Sequence, residues 1–223
     1  MRGDFAILPF TAPRFMRFLR PLASGVVRSL TGEERRRGRD GYQLAIVIPL
    51  ADEVGHDATK LQIEVLRKYG RNPGLDAWPH ITLKMGFTAT DTAPFEKYLG
   101  QLADEVPPFE ISIKNFDCFD EGILFLDVED NPALEKLRQR VLSDLSELYG
   151  IQAEAIEDGR FRFHVTLAHG LSSRDFGEMR KSYASRQIQF KFKARHIDLF
   201  CHAGQQWVTL KRATLGDHLH VHP

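Results

Sequence analysis

From residue 42 onward the hydrophobic positions alternate between two periods. "YQLAIVIPL" (42–50) is a continuous run rich in β-branched residues, broken by Pro49, and predicts a buried strand. "EVGHDATKLQIEVLRKYG" (53–70) spaces Val54, Leu61, Val65 and Leu66 as a helix does and stops at Gly70. "WPHITLKMGF" (78–87) returns to strand, and "APFEKYLGQLADEV" (93–106) to helix, with Asp91 or Thr92 in place to cap it. Two strands follow, "FEISIKNFDCF" and "GILFLDVED", with "DEG" as the turn between them. A third helix runs through "NPALEKLRQRVLSDLSELYG" (131–150), capped by Asn131, with Pro132 at the first helical position and a face of Leu134, Leu137, Val141, Leu145 and Leu148. "RFRFHVTLAHG", a short helix around "DFGEMRKSYAS", and the closing strands "IQFKFKARHIDLFCH" and "QWVTLKRATL" complete the chain. A strand-helix-strand unit thus occurs twice, which predicts an α+β fold of two similar lobes.

The two units share a motif. His-x-Thr-Leu stands at 80–83 and again at 164–167. Side chains two apart on a strand point the same way. By that parity His80, Thr82 and Lys84 share one face, with Ile81, Leu83 and Met85 opposite. Arg162, His164 and Thr166 share another, opposite Phe161, Phe163, Val165 and Leu167. Each strand is predicted to anchor an apolar side in its lobe and to turn a histidine, a hydroxyl and a cation away from it.

Two imidazoles across a cleft supply a general base and a general acid near neutral pH. Two hydroxyls with Lys84 and Arg162 offer ligands for phosphate oxygens and for the charge that grows on them. The set suits in-line attack on a phosphodiester, and the scheme requires no metal or cofactor.

"PHITLKMGF" and "FHVTLAHG", in this order of strands and helices, resemble the two-histidine phosphoesterase superfamily, in its branch of 2′-5′ RNA ligases and cyclic phosphodiesterases. The resemblance covers about residues 42–215. It implies a bilobal α+β fold, two pseudo-symmetric lobes of antiparallel sheet and helices around a central cleft. It implies that His80 and His164 are the acid/base pair and that Thr82 and Thr166 bind phosphate; Lys84 and Arg162 are added from strand parity alone. The implied substrate is a nucleotide or RNA-end phosphate, a 2′,3′-cyclic phosphate or a 2′-5′ linkage. The alternatives are 2′-5′ RNA ligation and a module that binds RNA ends without turnover. Many relatives have proline before the second histidine, where this chain has Phe163.

Composition changes this picture only at the edges. Thirty basic and thirty acidic residues cancel, so no overall charge points to nucleic acid or membrane. Residues 1–40 hold nine Arg against four acidic residues; they share the make-up of a transit peptide or a basic surface segment and are read as a poorly ordered extension. The phosphoesterase domain is expected over 41–217, with 218–223 as a tail whose histidines lack the spacing of metal ligands. No apolar run reaches the length of a membrane span. Cys118 and Cys201 form no motif and read as free thiols of a cytoplasmic monomer. Trp207, Phe119 and Tyr42 are the candidate aromatics for stacking on a base, although each also suits a core.

Overall fold

The computed structural model describes residues 41–50, 52–119, 122–157 and 161–216. The segments expected to be an N-terminal extension (1–40) and a tail (218–223) lie outside them. Among the described residues, eight strands and four helices follow in chain order: β1 (Tyr42–Pro49), α1 (Asp52–Tyr69), β2 (His80–Ala89), α2 (Ala93–Glu105), β3 (Phe109–Phe119), β4 (Ile123–Val128), α3 (Pro132–Tyr149), β5 (His164–His169), α4 (Ser173–Ala184), β6 (Gln189–Ala194), β7 (His196–His202) and β8 (Trp207–Thr214). A 3-10 turn, Pro73–Leu75, sits between α1 and β2.

The strands form two antiparallel four-stranded sheets, ordered β2-β1-β7-β8 and β5-β4-β3-β6. β1 is an inner strand, which explains its unbroken apolar run. Leu44, Ile46 and Ile48 enter the main core, while Ala45 and Val47 turn to the other face and join Phe200 in a small separate cluster. The second sheet repeats the arrangement, with Leu124, Leu126 and Val128 in the core and Phe125 on the opposite face.

Two of the helices do not stay with the sheet whose strands they connect. α1 joins two strands of the first sheet but packs on β5 and β6 of the second. α3 joins β4 to β5 in the second sheet and packs on β2 of the first. The two lobes therefore exchange helices, and their buried side chains merge into one continuous core.

Local chemistry sets the element ends. The Asn131 side chain accepts from the N–H groups of Ala133 and Leu134, and Gly150 closes α3 in the left-handed region at φ 68°. At α2 it is Asp91 that accepts from Ala93 N, while the Thr92 hydroxyl donates to Glu96.

Three expectations are corrected. "IQFKFKARHIDLFCH" is two strands: β6 ends at Ala194, β7 starts at His196, and they belong to different sheets. Leu148, assigned to one face of α3, is exposed, as is Leu66 among the helically spaced positions of α1; the inward stripe of α1 is Ala58, Leu61, Gln62 and Val65, and that of α3 ends at Leu145. β5 begins at His164, so Phe161–Phe163 approach it as irregular chain.

Candidate active site

β2 and β5 are the outer strands of their sheets, and these two edges lie beside one another. Both His-x-Thr pairs therefore meet at the seam between the lobes. Along β2 the alternation holds through four residues: Ile81 and Leu83 are buried in the core, and His80 and Thr82 are half-buried away from it. Along β5 it does the same, with Val165 and Leu167 in the core and His164 and Thr166 half-buried.

The two imidazoles are held in the same way. His80 Nδ1 lies 2.6 Å from the carbonyl oxygen of Trp78, and His164 Nδ1 lies 2.9 Å from that of Arg162, in each case two residues upstream. A carbonyl oxygen only accepts, so Nδ1 carries the proton in both rings. The Nε2 lone pairs are thereby left for other chemistry. Aromatic rings back each imidazole: Phe200 stands 5.2 Å from His80, and Phe119 and Phe125 stand 5.0 and 5.1 Å from His164.

This packing removes water and disfavours the charged imidazolium. Burial holds His80 below the usual histidine range, opposed by its bond to the Trp78 carbonyl and by the Asp198 carboxylate. Burial pushes His164 down to about 4, again opposed by its carbonyl partner. The neighbouring His80 and Arg162 lower it further, and Asp127 pulls the other way.

An arginine-paired carboxylate acts on each histidine. Asp127 stands opposite His164 in the ladder, and Arg162 donates to it from Nε at 3.0 Å and to Asp117 from Nη2 at 2.6 Å. In the other lobe Asp198, fully buried, accepts from Arg212 Nε and Nη2 at 2.9 and 2.8 Å. Arg162 thus remains on the His164 side, but two carboxylates already engage it. Arg212, which the sequence pattern did not single out, engages Asp198, the carboxylate that acts on His80.

Lys84 is a correction. The β1–β2 register slips between Val47, opposite Thr82, and Ile46, opposite Lys84. That bulge turns Lys84 to the side of Ile46, where it is 1% exposed. Its Nζ donates to Glu157 Oε2 at 2.6 Å, and Glu157 Oε1 accepts from Met85 N at 2.7 Å. The lysine fixes the bulge to the chain leading toward β5 and offers nothing to the seam.

Among the described residues, no three His, Cys, Asp or Glu side chains come together as metal ligands would. No helix among them is long and apolar enough to cross a membrane, and neither Cys118 nor Cys201 forms a disulfide. Of the aromatics considered from sequence, Phe119 packs on His164, Trp207 on the Ala45–Val47–Phe200 cluster, and Tyr42 lies at the far end of β1 from His80. Trp78, two residues before His80, was not foreseen and is 67% exposed.

Two antiparallel lobes, each bringing a His-x-Thr edge strand to a shared seam, describe a class of protein. Residues 55–206 match the 2′-5′ RNA ligase superfamily, more than half of the chain, and the protein belongs to that family. The fold is similar to that of TT0787 of Thermus thermophilus, with a TM-score of 0.55 at 17% identity over 78% of this chain and 98% of that one. It is equally similar to E. coli LigT complexed with 3′-AMP, with a TM-score of 0.55 at 18% identity and the same two coverages. No curated protein matches the sequence at a significant level.

Proposed function

We propose that this protein is a phosphodiesterase that hydrolyses a 2′,3′-cyclic phosphate or a 2′-5′-linked ribonucleotide without a metal, with His80 and His164 as its acid and base. The reading rests above all on the matched carbonyl bonds at Nδ1, which leave an Nε2 on each side of the seam for proton transfer. One Nε2 takes a proton from the attacking water as its oxygen bonds to phosphorus. The bond from phosphorus to the 2′ or 3′ oxygen breaks, the other imidazole, protonated beforehand, delivers its proton to that oxygen, and a phosphomonoester is left. Thr82 and Thr166, on the same faces as the histidines, are the ligands for the non-bridging oxygens. The structure of LigT with 3′-AMP makes a ribonucleotide the natural first substrate class to assay.

An anionic phosphate arriving between the rings favours imidazolium. The lowered proton affinity of the two imidazoles in the free protein is then raised by the substrate itself, so that one of them can serve as the acid. The test is an assay of the purified chain with 2′,3′-cyclic nucleotides and 2′-5′ oligoadenylate in EDTA. His80→Ala and His164→Ala should each lose about 10²–10⁴ in rate. Full activity in either variant, or loss of activity on chelation, overturns the mechanism.

A further inference from the structure

Beside His80 a cavity of about 320 Å³ opens between the N-terminal turn of α1 and the face of the first sheet that carries Asp198 and Phe200. This is the size range of small-ligand pockets. Two of its walls touch the histidine directly: Phe200 packs edge-on against the His80 ring, and Trp78 holds His80 Nδ1 through its carbonyl. The polar side chains of the remaining lining are Asp52, His56 and Thr59 on α1 and Thr209 and Arg212 on β8, beside Pro49 and Leu50.

Trp78 is the most exposed of the large apolar side chains among the described residues. Its backbone is nonetheless anchored. Its carbonyl is tied to His80, and the next carbonyl, that of Pro79, accepts from Leu50 N at 3.0 Å. A solvent-facing indole on an anchored backbone is a stacking surface for a planar ring, because every nucleobase has a π-face to offer it. Asp198 is taken up by Arg212 and Thr209, and Asp52 adds a second carboxylate to the lining, which disfavours a further anion. That leaves a site suited to a neutral heterocycle with polar edges rather than to a second phosphate.

We infer that this cavity receives the nucleobase of the substrate, stacked on Trp78, while the phosphate lies at the histidines. The inference rests on the phosphodiesterase reading for the phosphate's place, but its own test is equilibrium binding. Full-length protein is titrated calorimetrically with 3′-AMP and with inorganic phosphate, as wild type, Trp78→Ala and Trp78→Phe. The carbonyl that holds His80 is unaffected by either substitution. Trp78→Ala should weaken 3′-AMP about 5- to 150-fold and leave inorganic phosphate unchanged, and Trp78→Phe should restore most of the loss.

Equal weakening of both ligands, unchanged affinity for 3′-AMP in Trp78→Ala, or wild-type protein that binds 3′-AMP no better than phosphate each overturns the base site. The two readings separate cleanly. If cyclic phosphates are not turned over but 3′-AMP binding depends on Trp78, the catalytic reading falls and the base site stands. If Trp78→Ala turns over 2′,3′-cyclic AMP with wild-type KM, the base site falls and the catalysis stands.

Discussion

The Asn72 side-chain oxygen accepts from the backbone N–H of His169 at 3.1 Å, binding the turn that feeds the first histidine strand to the end of the second. The same oxygen accepts from Gly74 N at 3.1 Å. Gln62 adds weaker bonds at 3.4 Å to the carbonyls of Gly74, Ala77 and Thr166. The two histidines sit on different sheets, and this buried amide stitching sets their separation. Asn72→Ala should cost about 1–3 kcal/mol by stranding the buried His169 N–H and the part-buried Gly74 N–H. A lowered midpoint in urea checks the stability, and a kcat that falls more than KM rises checks the loss of alignment.

Gly74 belongs to the same seam. A Cβ there would lie 2.9 Å from Ala168 Cα and from His169 N, so even alanine forces the turn off β5. Gly74→Ala is expected to destabilise the fold and to widen the gap between the histidine strands. A crystal structure of the variant in which β2 and β5 keep their spacing would count against the widening.

Lys84 and Glu157 form an ion pair in which both side chains are 1% exposed. Removing one partner of such a pair strands the other charge, at a cost of about 3–5 kcal/mol. Lys84→Ala should therefore lower the melting temperature sharply, and the double variant Lys84→Met/Glu157→Gln should recover part of the loss. In whatever protein remains folded, affinity for inorganic phosphate should match wild type. A selective loss of phosphate affinity would return the lysine to the site.

The histidine environments predict a pH dependence with a definite sign. Both imidazoles have lowered proton affinity in the folded chain, His164 to about 4. The unfolded chain therefore binds more protons below about pH 6.5. Their contribution to stability is flat above that pH and is lost as the pH falls from about 6.5 toward 4. Thermal melts across this range test the slope, which His164→Gln should reduce. Arg162→Ala should raise the His164 titration, since the arginine lowers it and Asp127 raises it. Added phosphate should raise it as well, and imidazole NMR shifts read both effects.

Much of the fold was legible because burial follows simple periods. The unbroken run of β1 announced an inner strand, and Asn131-Pro132 announced the start of α3. Parity placed His80 and Thr82 opposite Ile81 and Leu83, and then failed at Lys84. The bulge there depends on a partner, Glu157, that lies 73 residues away. The division of "IQFKFKARHIDLFCH" did leave a trace: its apolar positions run Phe190, Phe192, Ala194 and then Ile197, Leu199, Cys201, a change of phase across Arg195. Trp78 left none. It stands outside any periodic element, and its exposure is decided by what the rest of the chain leaves uncovered.

The exchange of helices between lobes has a consequence for how the chain comes to be folded. β1 at the start of the domain pairs with β7 near its end, Leu44 against Cys201, and α1 finds its surface only when β5 and β6 exist. Neither half can therefore assemble first as an independent intermediate. On a ribosome the first histidine strand waits, with its apolar face unburied, until almost the whole domain has emerged, and so many distant contacts predict slow folding in vitro. Pieces cut between the two histidine motifs should fail to fold separately, and they regain structure only when both are refolded together.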